Sequence, residues 1–565
     1  MKCPFTSVRE MKVHLLLLVI FTLTSCGQSK SPSTETILWT PYNDSAEVAA
    51  NRDHQIPRMR YKLIQSNVLD KNEVFRPLFK EVSQMSETAY NALKPLILEQ
   101  NIPAIQDHIA KGNLTYEQLV LFYLYRIYLF ELDNTTTLNT IIALNEKVVK
   151  EARERDEALA TTPSVSRHPI FGMPILLKDN IDTKGMKTTA GAIALIDNDV
   201  DDAFIVTQLK KKGALILGKV NMSEWAYYLC SGCPVGYSAV GGQTLNPYGR
   251  RVFETGGSSS GSGTATAANY AVGAVGTETS GSILSPSGQN SVVGLKPTIG
   301  LLGRSGIVPI SSTLDTPGPM TKNVVDNAIL LSAMVGNDEE DSKSATLDVD
   351  YLKALNDTPS LQGKRLGAMT ALMESDSVYR STVANLKKLG VEIVVFTPPE
   401  VQLDDFLSIL NIDMRNDLPK YLDKYTDPMK VKIASIADAV DFNAMDSLVR
   451  IPYGQAIFMG ILKDSTTTVG LEVIKSDLEQ KGRSFFDTAI DQYHLDAVLS
   501  INNRHAGYAA VAKYPALTVP MGYKATGEPI NLTFIGKQFQ EDQLLRLGRA
   551  FELMVPARKA PEGYR

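Results

Sequence analysis

Gly256-Gly257-Ser258-Ser259-Ser260-Gly261-Ser262-Gly263 and Gly276-Thr277-Glu278-Thr279-Ser280-Gly281-Ser282-Ile283 are the two Gly/Ser-rich stretches that decide the fold of this chain. Thr264–Ala274 between them is small and apolar, which suits a buried helix running into a strand. A flexible Gly/Ser linker would not be interrupted in this way. Residues 257–261 formally match the GxSxG nucleophile elbow, but Arg250–Thr255 ahead of them is polar and supplies no buried strand to carry an elbow. Of the six histidines, only His494 and His505 lie downstream to complete such a site.

Outward from this centre the texture alternates. Short apolar runs at Met173–Leu177, Ala214–Leu217, Tyr270–Val275 and Val292–Leu295 are separated by glycines and by helical stretches such as Ala203–Lys212. That alternation predicts an α/β sheet covered by helices. Gly213–Val220 resembles a phosphate-binding loop except at its last position, where Val220 replaces the hydroxyl that would meet Mg²⁺, and its apolar interior predicts a strand instead. Met59 to about Ala158 has a helical pattern, with a capping box at Thr115–Gln118. Beyond the acidic break at Gly336–Asp341, helices are expected at Tyr351–Leu355 and Tyr379–Leu389, and strands at Val391–Phe396, Asp496–Ile501 and Ala516–Pro520. The span 398–490 is expected to be mainly helical. No pair of histidines falls at an HExxH-type helical spacing, so no metal site is expected.

The serine pair and its neighbours resemble the amidase signature family, whose motif runs from a GGSS element to a GTxxGGS element. In that family the nucleophilic serine follows a cis-peptide serine by 24 positions, as Ser282 follows Ser258 here. The family's lysine element, an apolar strand followed by a polar turn, is matched by Met173–Asn180, with Lys178 in place. Asn221–Trp225, Gly242–Pro247, Gly294–Thr298, Asp315–Met320 and Pro515–Pro520 agree as well, so the resemblance spans residues 115 to 560.

It implies a single large domain, a mixed twisted central sheet with helices on both faces, over 56–565. The signature core would be about 165–335 and the variable helical part about 398–490. It also implies catalysis by Lys178, Ser258 and Ser282, with the backbone N–H groups of Thr279, Ser280, Gly281 and Ser282 as the oxyanion hole, and no metal or organic cofactor. A serine hydroxyl needs a base, and no histidine accompanies either stretch, so Lys178 has to be that base. It must then be neutral, which requires a pKa lowered from about 10.4 toward about 7.5, and the apolar run before it would push in that direction. Two positions depart from the commonest motif: Ser280 stands for Gly and Leu284 for Arg. With Glu278 for the frequent Asp, they point to the branch related to bacterial peptide amidases, which cleave C-terminal carboxamides. A catalytically degenerate binding protein of the envelope and the glutamine-hydrolysing subunit of a tRNA amidotransferase are the alternatives.

The chain has 565 residues, 44% of them hydrophobic, and a formal net charge of −5, which excludes a disordered chain and a basic nucleic-acid binder. At roughly 150 residues per domain, length alone would suggest three or four domains. The apolar run Leu15–Leu23 follows Lys2, Arg9 and Lys12, as in a secretory signal, and ends in Leu23-Thr24-Ser25-Cys26, which resembles a bacterial lipobox. Residues 1–25 are therefore expected to be removed and Cys26 lipidated. Residues 26–55, rich in Ser, Thr, Asn and Asp, are expected to form a flexible tether. The mature enzyme would be a lipoprotein of the bacterial envelope, at the outer membrane or facing the periplasm. Its partners would be a small-molecule or peptide amide and the membrane, with no nucleic acid. Cys230 and Cys233 fit a disulfide or two buried thiols equally well.

Overall fold

The computed structural model describes residues 36–565 apart from Pro163, Thr346, Asn356 and Asp357. The signal segment and Cys26 lie outside the described residues. The strands described, in chain order, are β1 (Ile141–Leu144), β2 (Pro174–Lys178), β3 (Leu215–Val220), β4 (Tyr237–Ser238), β5 (Gly242–Gln243), β6 (Gly273–Glu278), β7 (Val293–Lys296), β8 (Thr316–Thr321), β9 (Arg365–Met369), β10 (Glu392–Phe396), β11 (Ala497–Ile501), β12 (Ala516–Tyr523) and β13 (Pro529–Ile535). Eleven of them form one sheet in the order β1-β3-β2-β6-β8-β7-β12-β13-β11-β9-β10, and β4 and β5 pair separately. The sheet is mixed. β2 runs parallel to β3 and β6, β9 runs parallel to β10 and β11, and the other pairings are antiparallel.

β2, β3, β6, β7 and β8 are buried along their whole length, which explains why their sequences lack polar alternation. The Gly213–Val220 segment is strand β3, as its apolar interior predicts, and its Lys219 is buried 3.6 Å from Asp179. The N-terminal region is helical as expected, with Thr115 and Gln118 closing the capping box of helix Tyr116–Glu131. β1 is the exception: its four apolar residues are too few for periodicity to separate strand from helix, and pairing with β3 decides.

Two buried clusters support the molecule. The larger follows the sheet and its flanking helices, and the smaller lies under helices Phe406–Tyr425, Ala456–Lys463 and Thr468–Tyr493 with Trp225 and Leu195. The expected tether is shorter than its composition implies. Trp39 is buried, its indole N–H donates to Asn134 Oδ1 at 2.7 Å, and Asn72 Oδ1 accepts the N–H groups of Leu38 and Trp39. Ser45–Ala50 form a helix whose Glu47 meets Arg250 at 2.8 Å. The polar residues of 38–55 thus make specific hydrogen bonds that composition does not reveal.

The Gly/Ser-rich stretch opens helix Ser260–Ala267, all eight of whose residues are buried. Gly261 N–H donates to Asn221 O at 2.9 Å, and a Cβ at Gly261 would lie 2.3 Å from that same oxygen. In an open helix Gly→Ala would be favourable by about 1 kcal/mol. Here contact with a fixed backbone oxygen reverses the sign, so Gly261→Ala is expected to destabilise the fold by about 1–3 kcal/mol, measured by urea unfolding.

Candidate active site

Lys178 ends β2, and Thr277 and Glu278 end the adjacent parallel strand β6, where Leu177 pairs with Val275. Carboxyl ends of parallel strands face a common crevice, so this is where a ligand site forms in such a sheet. Lys178 is fully buried. Its Nζ lies 2.8 Å from Ser258 Oγ, 2.8 Å from Thr277 Oγ1 and 3.1 Å from Thr277 O. Burial holds its pKa down at about 7, against the pull of Asp315 and Glu278 toward the charged form. Asn180 Nδ2 donates to Thr277 Oγ1 at 3.0 Å, so this hydroxyl joins the lysine to the loop that follows it.

Ser258 follows a cis peptide bond from Gly257 and is fully buried at the entrance to helix Ser260–Ala267. Its carbonyl accepts the N–H of Ser223 at 3.0 Å, and Ser223 Oγ accepts the N–H of Gly236 at 2.8 Å. Ser259 hydrogen-bonds across to Thr277, and its N–H donates to the carbonyl of Ser282 at 3.2 Å. That bond brings Ser282, which is partly exposed, beside the Ser258 segment. Lys178 and Ser258 are thus in direct contact, and Ser282 joins them through the backbone.

The turn after β6 is organised by Glu278. Its carboxylate accepts the N–H groups of Gly281 at 2.6 Å, Ile283 at 2.7 Å and Leu284 at 2.9 Å. Of the four oxyanion donors expected from the sequence, Gly281 is therefore occupied by Glu278, which leaves Thr279, Ser280 and Ser282. Gly281 alone among these residues is left-handed, with φ +84°, so Ser280 occupies its position without needing glycine's freedom. Thr279 Oγ1 donates to Asp315 at 2.5 Å, and Asp315 also accepts the N–H groups of Ile310 and Ser311 at 2.8 Å. Burial raises the Asp315 carboxyl to about 6. The supporting parts of Thr277 and Asp315 were legible in the sequence only as members of motif elements.

A cavity of about 330 Å³ reaches Asn180, Thr277 and Thr279, and its walls include Ile307, Tyr421 and Tyr425. Tyr421 and Tyr425 come from the helical part that follows the signature core. Phe458 is buried against Trp225, and Phe442 packs under Arg450. Tyr421 is fixed from behind, its hydroxyl donating to Asp182 at 2.7 Å and accepting from Asn198 at 3.1 Å. Cys230 and Cys233 form a disulfide. Among the described residues no three His, Cys, Asp or Glu side chains converge as a metal site would require.

The family model described as amidase matches residues 118–452. The chain belongs to the amidase family. A probable amidase of Arabidopsis thaliana is 33% identical, over 82% of this chain and 92% of the relative. The structure of an amidase family protein from Bacillus anthracis superposes with a TM-score of 0.83 at 35% identity, over 89% of this chain and all of that one, 100%. The peptide amidase of Stenotrophomonas maltophilia superposes with a TM-score of 0.77 at 35% identity, over 82% and 99%. This amidase is accordingly an amide-hydrolysing enzyme, and its mixed sheet flanked by helices is the architecture those structures share.

The buried lysine gives a test independent of turnover. Its pKa is about 7 in the folded amidase and about 10.4 when unfolded, so between these values the unfolded chain binds the extra proton and stability rises with pH. Below pH 7 the amidase carries the full cost of this buried group, on the order of 4 kcal/mol before relaxation. Lys178→Met is therefore expected to be more stable than the wild type at pH 6, with the gap narrowing toward pH 9, as measured by urea unfolding at both pH values.

Proposed function

We propose that this amidase hydrolyses the C-terminal carboxamide of a peptide through an acyl-enzyme on Ser282, with Ser258 and Lys178 carrying the proton. The observation that carries the proposal is the placement of Lys178 Nζ. A neutral amine has two N–H groups and one lone pair, and with the two oxygens of Thr277 taking the N–H groups the lone pair is left for Ser258 Oγ at 2.8 Å. The lone pair then faces the Ser258 hydroxyl, as a proton acceptor must.

In the first step Ser282 gives its proton to Ser258 Oγ as Ser258 passes its own to Lys178, and Ser282 Oγ bonds to the amide carbon. The carbonyl oxygen takes the negative charge and is met by the N–H groups of Thr279, Ser280 and Ser282. Collapse breaks the C–N bond, and the proton on Lys178 returns through Ser258 to the leaving nitrogen, which departs as ammonia. Water then attacks the ester with the same groups reversed, releasing a carboxylic acid and restoring the Ser282 hydroxyl.

Three features support this choice over a catalytically degenerate binder. The lysine–serine contact is intact, Ser280 fits its turn, and Leu284 is a buried residue whose N–H serves Glu278, so neither departure displaces a proposed catalytic group. The peptide carboxamide is suggested by the likeness to the Stenotrophomonas peptide amidase and by the aromatic cavity wall. We also propose an envelope lipoprotein anchored at Cys26, and the Cys230–Cys233 disulfide is in keeping with an oxidising compartment.

Blocked dipeptide carboxamides are expected to release ammonia, and Ser282→Ala should lower that rate by at least about 1,000-fold while leaving the fold intact. Unchanged turnover in that variant would remove the mechanism. Because Lys178 must be neutral, kcat/KM should fall as pH drops through about 7, the value at which burial holds this amine. Radiolabelled palmitate fed to expressing bacteria should label the wild type and not Cys26→Ser, and equal labelling of the two would exclude that anchor.

A further inference from the structure

Outside the proposed catalytic groups the structure contains another fully buried lysine, one without a hydrogen-bonding role. Lys296, at the end of β7, is fully buried, and its Nζ has no hydrogen-bond partner among the described residues. Near it are two buried carboxylates. Glu278 holds the turn after β6, and Glu541 accepts the Thr298 N–H at 2.6 Å with Oε1 while its Oε2 has no partner. A buried cation without hydrogen bonds is costly, and it persists where an opposite charge needs it.

Packing against the turn shows which charge that is. β7 and β8 pair Val293 with Thr321 and Gly294 with Met320, and Lys296 follows two residues on, at the end of β7. β8 and β6 pair Gly318 with Gly276 and Thr316 with Glu278. Residues opposite one another share a face, and so do residues two apart on a strand. Gly318, Gly276 and Glu278 therefore lie on one face. A Cβ at Gly318 would lie 2.2 Å from Leu295 O, 2.9 Å from Ile283 Cδ1 and 3.0 Å from Pro297 Cδ, so the residues on either side of Lys296 pack onto Gly318 beside Ile283, whose N–H Glu278 holds. Burial raises the Glu278 carboxyl, and the Lys296 ammonium is the foremost influence opposing that rise.

We propose that Lys296 is a positioning residue for amide hydrolysis, keeping Glu278 ionised so that its carboxylate can hold the N–H groups of Gly281, Ile283 and Leu284 and thereby aim the remaining donors of the turn at the substrate oxyanion. A protonated Glu278 would have an O–H in place of one acceptor oxygen, and three N–H groups could no longer be held together. Lys296 touches no reacting atom and acts through Glu278. The inference rests on the acyl-enzyme reading of Ser282.

The test compares a peptide aldehyde with the corresponding alcohol as inhibitors of wild type and Lys296→Met. The aldehyde carbon bonds to Ser282 Oγ, the carbonyl π pair becomes the oxyanion, and the serine proton passes through Ser258 to Lys178. The alcohol occupies the site without making an oxyanion. Lys296→Met is expected to lose about 10- to 100-fold in aldehyde affinity and in kcat, with alcohol affinity and KM within about 2-fold, a pattern that general loosening of the fold would not produce.

Glu278→Gln should show the same pattern, and the double variant should be no worse than Glu278→Gln alone, because the two residues act in series. If Lys296→Met does not fold, the double variant, which leaves no lone buried charge of the pair, supplies the measurement. An unchanged aldehyde preference in whichever variant folds, or strictly additive losses, overturns the proposal. An aldehyde that binds wild type no better than the alcohol removes the acyl-enzyme reading, and this inference falls with it. An aldehyde preference present in wild type and fully kept in Lys296→Met overturns the inference alone.

Discussion

The contact on which the site depends is a lysine amine sealed from water between a serine and a threonine. Lys178 can face Ser258 and Thr277 only because β2 and β6 run parallel side by side and end at the same level. In water the amine would be protonated at neutral pH and of no use as a base. Burial that brings it to about 7 destabilises the fold and is opposed by two nearby carboxylates, so the surrounding sheet has to supply the stability that this group removes.

The glycines and serines serve the same constraint from the other side. To bring Ser258 against the lysine, helix Ser260–Ala267 must lie deep between the strand ends and the Asn221–Ser223 segment. Gly261 and Gly263 leave no room for a Cβ against Asn221 O and Pro286 O. Serines in that helix return their hydroxyls to nearby backbone carbonyls, Ser260 to Gly256 and Ser262 to Val275, so a helix made of small polar residues can be wholly buried. Glu278 does comparable work in the following turn, where one carboxylate organises three N–H groups.

One helix of the variable part ties it to this core along one face. In Phe406–Tyr425, Asp413 accepts from Ser311 Oγ at 2.6 Å, Asp417 from Ser312 N–H at 2.8 Å, and Tyr421 donates to Asp182 at 2.7 Å. These three residues recur every four positions, which aligns them on a helix, and they fix the cavity wall to the loop that follows Lys178. The cavity wall and the loop after Lys178 are thereby held in one frame.

By itself the sequence determined the α/β class, the family and the identity of Lys178, Ser258 and Ser282 as candidates, because spacing between small residues and the order of apolar runs are local, linear properties. It also indicated most elements of the C-terminal half, although β8, β9 and β13 passed unseen and β1 was read as helix. Tertiary structure alone decided the rest. Asp182 behind Tyr421, Thr277 beside Lys178 and Lys296 beside the turn that Glu278 holds are far apart or unremarkable along the chain, and helix packing and strand pairing place them. The same applies to Trp39, whose polar neighbours read as a solvated tether until Asn72 and Asn134 supplied their partners. Whether a polar group is solvated or satisfied inside the fold depends on what packs against it, and that is not written in its neighbours in sequence.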